Sequence, residues 1–251
     1  FGEFISDIEI KTAKYLNSLS QEKISLCAKT FVQGYRDGFF AMQKDISKKK
    51  IVSLVYRIGF ERIAKEAIIL FEDMGFDVVL TRKPYRLADI SPIRNRGISS
   101  AGVNRQFEYD HKYDMSIFTK KAYLDRKLEV SRHAFEEIKI NLELYGGPAL
   151  METFGEKEFL PVKKGFANEF NDKQKELMTN FRSDMSILQN EYLDMSSTAF
   201  CIIAWPLPGI CEDEKLYSEI FDRIIRINTL DSEKYKCIQQ IIIDTLDRAD
   251  S

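Results

Sequence analysis

Apolar residues recur at three- and four-residue spacing in the first fifty positions. They fall at Ile5, Ile8, Tyr15 and Leu19, then at Ile24, Cys27, Ala28, Phe31, Val32 and Tyr35, with Ser20 placed between the two runs as an N-cap. This spacing predicts a helical pair over residues 1–48. The basic run Lys48-Lys49-Lys50 leads into Ile51-Val52-Ser53-Leu54-Val55, whose β-branched apolar character predicts a buried strand. After Gly59 the stripe Phe60, Ile63, Ala64, Ala67, Ile68, Phe71 and Met74 predicts a helix that Gly75 stops, and a second strand follows at Phe76-Asp77-Val78-Val79-Leu80. Strand, helix and strand with short joints form a βαβ unit, which implies a right-handed crossover and a mostly parallel sheet.

No periodicity is visible between about Thr81 and Tyr113, where prolines, glycines and polar residues accumulate. Beyond it, Met115-Ser116-Ile117-Phe118 reads as a third strand. A long helix then carries Leu124, Leu128, Ser131, Phe135, Ile138 and Leu142 and ends at Tyr145-Gly146-Gly147-Pro148. Ala149 to Thr153 reads as a short strand, Phe154 to Gly165 as a loop, and Asn168 to Leu193 as a helix. Ala199 to Trp205 is an apolar strand closed by Pro206 and Pro208. Two helices follow, one with Leu216, Ile220, Ile224 and Ile227, the other capped near Asp231 with Tyr235, Ile238, Ile242 and Leu246. The expected fold class is α/β, a mostly parallel sheet of about five strands flanked by helices, with residues 49–251 as an α/β domain behind the N-terminal pair.

Composition narrows the partners. Lys+Arg 37 against Asp+Glu 39 leaves a formal net charge of -2, so no overall field draws the chain to nucleic acid or to an anionic membrane. No apolar run reaches the roughly 20 residues of a membrane span, and no basic-then-apolar leader opens the chain; the expected location is cytoplasmic. Cys27, Cys201, Cys211 and Cys237 are scattered without a C-x-x-C pair and read as reduced core thiols. The chain starts at Phe1 rather than Met and ends at Ser251 just after a helical pattern, the expectation being a segment of a longer protein.

Candidate chemistry is sparse. With two histidines and no H-E-x-x-H, no metal site or catalytic residue is assigned within the segment. Tyr56-Arg57-Ile58-Gly59-Phe60 has one glycine where a dinucleotide fingerprint needs three, and Val103-Asn104 stand where a P-loop needs Lys and Ser/Thr. No G-x-S-x-G elbow is present. The segment from residue 81 to 113 nevertheless concentrates cations, Arg82, Lys83, Arg86, Arg94, Arg96 and Arg105, suited to a carboxylate or phosphate, although a solvated basic loop has the same composition. It runs into Tyr109-Asp110-His111-Lys112-Tyr113-Asp114, where one imidazole meets two carboxylates as an acid/base pair or a weak metal site, or simply as a histidine hydrogen-bonded to its neighbour. The candidate substrate-binding residues are Arg94, Arg96, Arg105, Tyr109, Asp110, His111 and Asp114. Met151 and Glu152 fall at a strand end, where α/β sites collect, but Glu152 has no partner visible in the sequence.

Several stretches together resemble a family. IVSLVYRIGFERIAKEAIILFEDMGFDVVL (residues 51–80) is similar to the opening strand, helix and strand of metallo-aminopeptidases of the aminopeptidase T and aminopeptidase S type. FCIIAWPLPG (200–209) is similar to their late apolar strand. YDHKYD (109–114), DRKLEVSRHAFE (125–136) and YGGPALMETFGEKEF (145–159) resemble the clostridial branch known as leucyl aminopeptidases. The resemblance covers roughly residues 50–251 and contains no catalytic motif. It implies the amino-terminal, non-catalytic domain of a longer peptide hydrolase, inactive alone, which packs over a catalytic half and helps enclose the peptide. It also implies two divalent metal ions in that other half, a homodimer, and a peptide substrate reached through the parent enzyme. The reading from the residues alone keeps an alternative, a small anionic-ligand or phosphate-binding α/β module.

Overall fold

A computed structural model describes residues 5–83, 105–155, 159–229 and 232–249. The N-terminal pair is α1 (Asp7–Ser18) and α2 (Gln21–Ala41). Ser6 opens α1 with a capping box in which its hydroxyl accepts from the Glu9 N–H while the Glu9 carboxylate accepts from the Ser6 N–H. Ser20 caps α2 by accepting from the Lys23 N–H. Strand β1 (Ile51–Arg57), helix α3 (Glu61–Asp73) and strand β2 (Asp77–Lys83) form the expected βαβ unit, with β1 and β2 parallel from Ile51↔Asp77 to Arg57↔Lys83. Short helix α4 (Arg105–Asp110), helices α5 (Lys121–Glu137) and α6 (Lys139–Glu143), strand β3 (Tyr145–Phe154), helix α7 (Asp172–Tyr192), strand β4 (Cys201–Pro206) and helices α8 (Glu214–Asn228) and α9 (Ser232–Ala249) complete the described chain.

The sheet is four-stranded and wholly parallel, in the order β2-β1-β3-β4. The missing fifth strand is Met115 to Phe118, which belongs to a 3-10 turn over Asp114–Ile117 with Ile117 and Phe118 exposed. Three apolar residues and a serine between polar neighbours suit a strand only where a sheet edge is free to receive them, and here the chain turns instead. Strand β3 is longer than its apolar core suggests, because Gly146 and Gly147 belong to it. At Gly147 φ is +112°, and a Cβ there would strike the Ala199 backbone, so a residue without a side chain lets β4 close on β3. The long helix expected through Leu142 is interrupted at Ile138, and α4 occupies six residues of the stretch that showed no periodicity.

Alternation along the strands separates two faces. Val52, Leu54 and Tyr56, with Ala149 and Met151, and with Ile203 and Trp205, point to one side and pack against Ile63, Ala67 and Phe71 of α3, Ile24, Phe31 and Tyr35 of α2, and Tyr217 and Phe221 of α8. Each fully buried large side chain contributes roughly 1.5–3 kcal/mol. The N-terminal pair is therefore built into the same core as the sheet: Leu16 and seven α2 side chains are buried. Rings of Tyr35, Phe39, Phe71 and Phe76 meet edge to face at 5.3–6.3 Å. The opposite sheet face keeps Val79 and Ile202 exposed. Helices α5 and α7 pack on each other, with the Phe135 and Tyr192 rings 5.6 Å apart and Arg132 paired to Glu191 at 2.7 Å. Among the described residues no helix is long and apolar enough to cross a membrane.

Candidate functional site

The strand order decides where a site can form. From β1 the chain steps outward to β2, while from β3 it steps the other way to β4, so the connections diverge at the β1/β3 boundary, the position beyond whose carboxyl ends parallel α/β sheets bind ligands. Arg57, the last residue of β1, reaches across this boundary and donates to Glu152 of β3 at 2.6 Å. Glu152, without a partner in the sequence, thus has one in space. Arg82 stands at the same end of β2, opposite Tyr56. The turn after β1 brings Gly59, whose N–H donates to the Glu61 carboxylate at 2.9 Å, and then the N-terminus of α3.

Helix α1 lies over this edge. Thr12 and Ala13 press on Gly59, which has φ +100° and no room for a Cβ, so the turn and the helix fit only around a glycine. Further along, the Tyr15 ring packs edge-on to Tyr217 at 4.7 Å and to Phe221 at 5.1 Å, and its hydroxyl donates to Ser218. Arg62, in the first turn of α3, donates to the carbonyls of Leu16, Asn17 and Leu19 at the end of α1. Helix α1 thereby spans from the start of α3 to the start of α8. Glu9 sits on its inner side, 2% exposed. Burial pushes its carboxyl above the ordinary 4.5, opposed by the Ser6 hydrogen bonds and by the nearby guanidinium groups of Arg57 and Arg82. The strand ends thus carry the Arg57–Glu152 ion pair, and α1 buries a further carboxylate, Glu9, within electrostatic reach of Arg57 and Arg82.

The residues singled out in the sequence divide differently. Arg94 and Arg96 lie outside the described residues, as do the cap at Asp231 and part of each expected loop, and Arg105 opens α4. Asp110 is buried and accepts from Lys164 at 2.9 Å and from Gln106 at 2.6 Å, and these partners hold its carboxyl below the ordinary range. His111 Nδ1 is 2.7 Å from Asp114, whose second oxygen accepts from Asn168 at 2.7 Å; Asn168 and then His111 lower its carboxyl. Gln106 donates to the Val162 carbonyl, and the Lys112 ammonium lies 3.7 Å from the Tyr109 ring centre. The cluster joins α4 and the turn after it to the segment before α7, each carboxylate accepting from side chains of that segment. Among the described residues no group of three or more His, Cys, Asp or Glu side chains is placed to hold a metal ion.

Of the cysteines, Cys27 is buried and its thiol is pushed up to about 12; Cys201 is half-buried and raised to about 11, in both cases by desolvation. Cys237 is exposed on α9 and is not a core thiol as expected. Helix α9 is exposed along its described side chains, and it presents Ile238, Ile241, Ile242, Ile243 and Leu246 to solvent. Compared with known proteins, the chain matches no family, no curated protein and no solved structure.

Proposed function

We propose that this chain is the amino-terminal, non-catalytic domain of a metal-dependent aminopeptidase, packing over a catalytic half of the same polypeptide and helping to enclose the peptide. The observation that carries the reading is the apolar face of α9. Five aliphatic side chains stand in water on a helix that no described element covers. Exposed contiguous apolar surface of this kind marks a contact with another folded body. Ile202 and Val79, exposed on the sheet face opposite the core, and Phe200 before β4 add to the apolar area left for a partner. The occupant is the catalytic half, because the stretches resembling the aminopeptidases run through β1, β2, β3 and β4 and contain none of that family's metal ligands. In this reading the two divalent ions are bound by the other half, the peptide reaches this domain only as a wall of the chamber, and the parent enzyme is a cytoplasmic homodimer.

The test compares the chain alone with the full-length parent on leucyl peptides, with zinc, cobalt or manganese supplied. The parent cleaves, loses activity to a chelator, and loses activity again when Ile241 and Ile242 are changed to Asp, while the chain alone is inactive. Cleavage by the chain alone, or a parent without peptidase activity under any of these metals, overturns the proposal.

A further inference from the structure

From the outer edge of β2 we infer that two copies of this chain pair through that strand, antiparallel and centred on Leu80, so that their four-stranded sheets join into one continuous sheet. This names the interface of the homodimer in the reading above, and to that extent rests on it, but the pairing of strands is measured separately from peptidase activity. It uses no residue of α9 and adds to any contact which that helix makes.

Among the described strands β2 is paired on one side alone, with β1. The Asp77 N–H donates to the Lys50 carbonyl at 2.6 Å, and the Lys83 carbonyl accepts from the Ile58 N–H at 2.9 Å. Asp77, Val79, Thr81 and Lys83 therefore turn their backbone groups towards β1, and by alternation Val78, Leu80 and Arg82 turn theirs outward. No β2 residue is buried, and Val79 and Leu80, on opposite faces, are 55% and 44% exposed. An exposed apolar edge strand is a template for another strand, which natural sheets blunt unless it has a partner. The other edge is blunted. Ala199 donates to Gly146 and Leu207 to Phe154, so Pro206 falls among the outward residues of β4 and has no N–H to offer.

The charges along the strand select a second copy as that partner. Strand β2 begins at Asp77 and ends at Lys83. About a two-fold axis through Leu80, perpendicular to the sheet, Asp77 of each copy lies opposite Lys83 of the other, so the opposite-charge pair forms twice. Val79 then meets Thr81, Val78 meets Arg82 and Leu80 meets its own counterpart, each pair pointing to one face of the joined sheet. The backbone agrees with this register: the outward residues Leu80 and Leu80, and likewise Val78 and Arg82, face each other and exchange both hydrogen bonds. Neighbouring registers lose the match. Centred on Val79, Asp77 faces Thr81; centred on Thr81, Lys83 and Arg82 face Val79 and Leu80.

The test uses the whole chain in sedimentation equilibrium at low ionic strength, where the wild type forms a reversible dimer. Asp77→Lys sets lysine opposite lysine at both ends of the seam and raises the dissociation constant about tenfold; Lys83→Asp does the same with carboxylates. Combining the two swaps restores the constant to within about threefold of the wild type, because the reversed charges are again complementary. In parallel, hydrogen exchange read residue by residue on the wild type shows the amides of Val78, Leu80 and Arg82 slowing as the dimer forms, while those of Val79 and Thr81, already bonded to β1, stay as they are. A wild type that remains monomeric at the highest concentration used for exchange, a dimer indifferent to either single swap, a double swap no tighter than the singles, or Val78 and Leu80 amides unaffected by dimerisation overturns the inference. Should a swapped variant not fold, the wild-type exchange pattern decides.

Discussion

Individual residues carry the sharpest consequences. Glu9 differs in sign from the other shifted carboxylates. A carboxyl raised by burial favours the folded state below its ordinary 4.5, and that contribution disappears as pH rises through the folded value. Asp110 and Asp114, lowered by their partners, act oppositely: their contribution is present above the ordinary 3.8 and is lost on acidification. The stability of the wild type relative to Glu9→Gln therefore falls as pH rises above 4.5, because only Glu9 differs between the two. Urea unfolding across this range checks it, and a pH-independent difference refutes the assignment. The thiols give a second outcome. Cys237 alkylates first and Cys27 last in a timed iodoacetamide reaction read by peptide mapping, because the thiolate is the nucleophile and burial suppresses it at Cys27. Gly147→Ala costs about 2–3 kcal/mol, since the added carbon meets the Ala199 backbone in a left-handed conformation.

Single residues also mark the limit of what the sequence shows. Arg57 and Glu152 both stand out in it, one in the joint after the first strand and the other at a strand end, yet nothing local links positions 95 apart. Their pairing follows from strand order alone. Glu9 is harder to read, because Ser6-x-x-Glu9 has the form of an ordinary capping box and that local role hides the carboxylate's second position at the sheet edge. The cluster from Asp110 to Asp114 was visible as a concentration of charge, but its partners Lys164 and Asn168 come from a stretch that reads as loop and helix start.

At the level of elements, strong periodicity was legible and weak periodicity was not. The βαβ unit and the caps at Ser20 and Gly75 follow from local pattern, since apolar spacing and cap chemistry are both short-range. The turn at Met115 and the break at Ile138 do not, because competition for sheet edges and packing between helices settle them. Helix α7 has few buried positions, Met178 and Leu188, and depends more on its ends. Asn171 accepts from the Gln174 N–H at 2.9 Å, and Gln174 reciprocates by accepting from the Asn171 N–H. Asn171→Ala accordingly lowers stability by about 1 kcal/mol in denaturant unfolding. Gln174 also donates to the Ser116 and Thr119 carbonyls, so Gln174→Ala costs more than the cap alone and loosens the turn before α5.

For the molecule as a whole, the core and α9 are energetically separate. The main cluster of buried side chains ends with Ile225 on α8, and every α9 side chain described is exposed. Deleting residues 230–251 should therefore leave the unfolding free energy of the remaining domain within about 0.5 kcal/mol of the intact chain, the range of surface changes that remove no packing. It should also reduce self-association in light scattering, because the deletion removes the aliphatic stripe from Ile238 to Leu246. A deletion that destabilises the domain by several kcal/mol would mean that α9 packs on the body in solution, and its apolar face would then be accounted for without a partner. A deletion that leaves both stability and association unchanged would remove the main physical support for a docking role. The two measurements are needed together, since unchanged stability shows only that α9 is detached from the core, while lost association shows that its apolar face makes contacts.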